Sequence, residues 1–123
     1  MKITGLLLVA AVLGAASPAA AQGLAGSWTF SGDTQDTAGC KVTLGVKTVP
    51  GGRALTAPAA CRKVFAGAAR FAVWRTSPGG GVVFANASGR ALLEFGPVAD
   101  GDFLAQLDNG NGYVLTRSPG RRR

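Results

Sequence analysis

Glycine, proline, asparagine and aspartate fall in clusters along this chain, and between the clusters there is room only for short extended runs. From Leu24 onward the clusters recur at intervals of about 8 to 12 residues, the spacing of an all-β sandwich or barrel. The runs between them are built from Val, Leu, Thr, Phe and Trp, and none carries the apolar period of a long amphipathic helix.

The first run, Leu24 to Ser31, places Trp28 and Phe30 on one face by period-two alternation. In the second, Cys40, Val42, Leu44 and Val46 alternate with Lys41, Thr43, Gly45 and Lys47, the pattern of a half-buried strand. Pro50-Gly51-Gly52 turns it, and a short run through Arg53, Leu55 and Ala57 returns antiparallel, bringing Cys61 toward the start of the second strand. Cys61 to Ala69, with Val64 and Phe65 among alanines, suggests a helical turn over one end of the sheet. Five more strands are expected at Arg70 to Thr76, Gly81 to Asn86, Arg90 to Phe95, Asp102 to Asp108 and Gly112 to Arg117.

Eight antiparallel strands with short connections close most economically as an up-and-down β-barrel, which leaves no exposed edge; a two-sheet sandwich is the alternative. A barrel of this size is filled by side chains, and Trp28, Phe71 or Trp74, Phe84, Phe95, Phe103 and Tyr113 are the natural fillers. The same residues could instead line a cavity for a small apolar ligand.

Ahead of the first strand, Lys2, the apolar run Ile3 to Leu13 and the small residues up to Ala21 form the three regions of a secretory signal. The run is shorter than the ~20 residues needed to cross a bilayer, so no membrane anchor is expected. The first cysteine is Cys40, so no lipoprotein cysteine follows the signal. Residues 1–21 are therefore expected to be removed, leaving a 22–117 barrel domain and a disordered basic tail, 118–123. Cleavage after Ala16 also satisfies the small-residue rule and would leave Ser17 first. In an exported protein Cys40 and Cys61 are expected to form a disulfide contributing about 3 kcal/mol.

Catalytic equipment is sparse. With no histidine, neither the usual nucleophile-base pair nor the usual zinc ligand set can be assembled, and no protein-bound metal or other cofactor is expected. Asp33, Asp36, Glu94, Asp100, Asp102 and Asp108 lie mostly at turns beside glycine, where turn formation accounts for them. Gly79-Gly80-Gly81 leads into the strand-like Val82-Val83-Phe84, so it is a hairpin turn rather than a phosphate loop. Asn86-Ala87-Ser88 matches a glycosylation acceptor pattern but is a weak three-residue signal. The formal charge of +7 includes Arg121, Arg122 and Arg123, which reads as a solvated terminus rather than a nucleic-acid site. A rigid exported scaffold that binds, and does not turn over substrate, is the expectation.

The order of landmarks resembles the bacterial family of alkaline metalloprotease inhibitors and their outer-membrane lipoprotein relative. The resemblance runs from Leu24-Ala25-Gly26 and Trp28, through Cys40-Lys41-Val42-Thr43-Leu44, Cys61 and Trp74-Arg75 before Pro78, to Gly89, Leu92 and Phe95 and finally Tyr113-Val114-Leu115 with Arg117. It implies an eight-stranded barrel with bridged cysteines and a structural core including Trp28, Phe95 and Tyr113. It further implies a monomeric periplasmic inhibitor whose partner is a secreted serralysin-type zinc protease. Its trunk, Ser17, Pro18, Ala19, Ala20, Ala21, Gln22 and Gly23, would enter the protease cleft with the terminal amine near the zinc. A non-inhibitory envelope barrel of the same fold is the alternative.

Overall fold

The structure, a computed structural model, describes residues 23–32 and 39–117. The signal region, trunk residues Ser17 to Gln22, Asp33, Asp36 and the 118–123 tail lie outside them. The chain forms β1 (Gly26–Gly32), β2 (Cys40–Val49), β3 (Gly52–Thr56), β4 (Val73–Thr76), β5 (Val82–Ala85), β6 (Ala91–Pro97), β7 (Phe103–Gln106) and β8 (Gly112–Arg117). Each strand pairs antiparallel with the next, and β8 closes on β1 from Trp28↔Arg117 to Gly32↔Tyr113. The expected barrel is borne out and the sandwich is excluded. Closure gives every strand two neighbours and removes the edges on which another chain could pair.

Inward-facing side chains fill the barrel, and both Phe71 and Trp74 contribute where one of the two was expected. Trp28, Phe30, Val42, Leu44, Trp74, Val82, Phe84, Leu93 and Leu115 are almost wholly buried. Phe30 lies at the centre, 5.7 Å from Phe71, 6.1 Å from Phe84, 6.2 Å from Phe95 and 5.7 Å from Tyr113, centroid to centroid. Trp28 meets Phe103 at 5.7 Å. The aromatic residues are thus packing elements of one cluster, each such pair adding about 0.5–1.5 kcal/mol beyond area burial.

The Cys61 to Ala69 stretch resolves into two 3-10 helices, Ala59–Lys63 and Ala66–Arg70. Between them Phe65 stacks on Phe71 at 5.8 Å and meets the edge of Tyr113 at 5.3 Å, so this connection seals one end of the barrel. The Cys40–Cys61 disulfide, with a Cα–Cα distance of 5.3 Å, ties the first of these helices to the start of β2. Arg70 ends the second 3-10 helix, so β4 begins at Val73 and not at Arg70.

Val46 departs from the alternation. It is 62% exposed because the β2–β3 register shifts between Leu44 and Thr48. A bulge of this kind breaks the period of two and turns the following side chains. The carbonyls of Gly45 and Val46, within the irregular stretch, accept from Trp74 Nε1 (2.9 Å) and Arg53 Nη1 (2.9 Å).

Candidate functional site

Antiparallel alternation brings the start of β1, the end of β8 and the β2–β3, β4–β5 and β6–β7 connections to one end of the barrel. There the N-terminal chain arrives through Gly23, Leu24 and Ala25 before entering the wall at Gly26. Gly26 has φ +128°, a conformation open to glycine and strained for other residues, and it turns the chain from the approach segment into the strand. Beta pairing therefore starts two residues later than Leu24, the expected first residue of the strand.

Three consecutive carbonyls of this approach are taken by side chains from the barrel. Trp28 Nε1 donates to the Leu24 oxygen at 2.8 Å. Arg117 donates from Nη2 to the Gly23 oxygen at 2.8 Å and from Nη1 to the Ala25 oxygen at 3.3 Å. Its guanidinium lies over the Trp28 ring, 4.2 Å from the centroid, a cation–π arrangement that also shields one indole face. Leu24 is partly buried against the core. The chain is thus held at Gly23, Leu24 and Ala25, where it approaches the first strand.

Among the predicted site residues, the structure brings Gly23 and Trp28 together at this root. Phe95 and Tyr113 belong to the aromatic cluster inside the barrel, and Cys40 and Cys61 brace the structure through β2 and the first 3-10 helix. Sequence reasoning missed the part played by Arg117. Its place beside Trp28 depends on the β1–β8 closure, and the signal that could have revealed it was an arginine ending the last strand of a barrel whose first strand begins Gly-x-Trp.

Several of the remaining polar residues lie in turns. Asn86 Oδ1 accepts from the Ser88 amide, the Ser88 hydroxyl and the Arg90 amide, which occupies the acceptor-pattern asparagine in shaping its own hairpin. Asp100 adopts φ +64° in the β6–β7 connection. Glu94 and Asp108 line a shallow open groove between β6 and β7 with Gln106 and Leu107. Among the described residues no group of three or more His, Cys, Asp or Glu is placed to hold a metal ion.

Comparison with known proteins gives a consistent answer. The model of the family described as "Protease inhibitor Inh" matches residues 18–117. The crystal structure of a psychrophilic marine protease MP inhibitor shares the fold at 23% identity, with a TM-score of 0.56, covering 83% of this chain and 99% of that one. No curated protein matches.

Proposed function

The chain belongs to the Inh family of protease inhibitors, and from that premise we propose that it is a periplasmic inhibitor of secreted serralysin-type zinc proteases. It is an inhibitor and not an enzyme, and a protease is its partner. The finer reading is that the trunk ahead of Gly23 enters the protease cleft while a single barrel holds it.

The observation that carries this reading is the set of three carbonyls, Gly23 to Ala25, held at one rim of the barrel. A trunk whose root is anchored in this way suits insertion into a cleft, because the rigid holder lowers the ordering cost of binding. At the tip, an α-amino group with a pKa of about 7.7 to 8.0 loses its proton near neutrality. Its lone pair can then occupy the position that a catalytic zinc leaves open to water or substrate.

Trunk length follows from the anchor. If Ser17 is first, the residues ahead of Gly23 can span up to about 20 Å when extended; if Gln22 is first, the single free residue spans about 3.5 Å. Only the longer trunk has the reach for a recessed metal. Signal removal after Ala16 is accordingly part of the proposal.

The test is titration of naturally processed protein against a serralysin-type zinc protease, with intact mass read on the same sample. Stoichiometric inhibition that disappears when the terminal amine is acetylated supports the reading. Full inhibition by the acetylated protein, or none by the native protein against several such proteases, overturns it.

A further inference from the structure

We infer that Arg117 is a positioning residue for inhibition, acting through the approach segment and not through the barrel; the inference rests on the trunk reading above. The bond geometry separates the two roles. The hydrogen bonds made by the Arg117 side chain run to Gly23 and Ala25, both outside the strands, and the side chain is exposed. The β1–β8 ladder is made by backbone pairing from Trp28↔Arg117 to Gly32↔Tyr113 and needs nothing from the guanidinium.

The residue type matters as much as the charge. A guanidinium offers a planar fork whose two nitrogens reach different acceptors while its face stacks on an aromatic ring. Here the fork takes the carbonyls on either side of Leu24 and the face lies 4.2 Å from the Trp28 centroid. The edge of the same indole takes the carbonyl between them. Lysine could supply the charge and one bond, but neither the fork nor the planar stack. Gly26 adjoins the clamp, and its φ of +128° disfavours any other residue there.

With the clamp closed, the segment is ordered before it meets a protease, so little order has to be created on binding. With the clamp open, the competent direction is one of many, and apparent affinity falls by the fraction of time it is adopted. Loss of the clamp should therefore raise the inhibition constant about ten- to a hundredfold, while encounter is hardly altered.

Arg117→Met and Arg117→Lys would be compared with the wild type by NMR relaxation of the Leu24 and Ala25 amides in the free protein, by thermal unfolding, and by association and dissociation rates on the protease. The expected result is mobile Leu24 and Ala25 in the Met variant, an intermediate Lys variant, near-native unfolding of both, and faster dissociation in the same order. Wild-type order at Leu24 and Ala25 in the Met variant overturns the clamp whatever the protease does. Mobility without any change in dissociation overturns its role in inhibition. If the Met variant unfolds early, the Lys variant decides: native stability with native dissociation and native segment order refutes the inference. Absence of inhibition by the wild type would instead refute the trunk reading, and the relaxation data would still judge the clamp.

Discussion

Phe30 meets four other rings in the middle of the barrel, whereas Trp28, two residues earlier on the same face, joins the interior to the root of the N-terminal segment. Removing either leaves a cavity that the surrounding β wall cannot collapse to fill. Phe30→Ala and Trp28→Ala should each cost about 3–5 kcal/mol in denaturant unfolding. A loss near zero for Trp28→Ala would mean that its ring is not part of the packed interior. Gly81 is constrained by the backbone instead: a Cβ there would run into the Phe95 carbonyl across the β5–β6 pair. Gly81→Ala should destabilise by roughly 1–3 kcal/mol, through displacement of a neighbouring strand. Unchanged unfolding would place the two strands farther apart than described.

The elements differ in how readily they are read from sequence. β8 runs from Gly112 to Arg117 as expected, because a turn precedes it and its alternation is unbroken. β2 begins where expected, but its bulge turns Val46 outward, and the cause is tertiary: Trp74 and Arg53 reach across from β4 and β3 to the carbonyls in the irregular stretch. β7 shortens to Phe103–Gln106 because the Leu107 amide already bonds to Asn111 in the turn that follows. The β3–β4 connection is the element most dependent on its covalent tie, since the first 3-10 helix holds Cys61 and carries no side-chain cap. Reduction should cost about 3 kcal/mol and lower the melting temperature. Identical melting with and without reductant would show that the bridge contributes nothing.

At the scale of the molecule, the barrel separates its two ends. One is sealed by Phe65, Phe71 and the disulfide-linked connection; the other gathers the root of the trunk, Arg117 and three hairpin connections. The proposed inhibition has a corresponding pH signature. Raising the pH from about 6 to 8 converts the terminal ammonium to the free amine, so affinity for a zinc protease should rise across that interval and level off above the amine's pKa. Acetylation should abolish both the affinity and its pH dependence without changing the melting temperature; a pH profile that survives acetylation would assign it to another group. The sequence alone determined the all-β class, the eight strands, the cysteine pair, the aromatic fillers and the family likeness, because alternation, turn chemistry and motif order are local properties. Which aromatic residues share the centre, where β2 bulges and how Arg117 reaches Gly23 and Ala25 were decided by closure. The start of the first strand and the end of the last lie far apart along the chain, and only the β1–β8 ladder makes them neighbours.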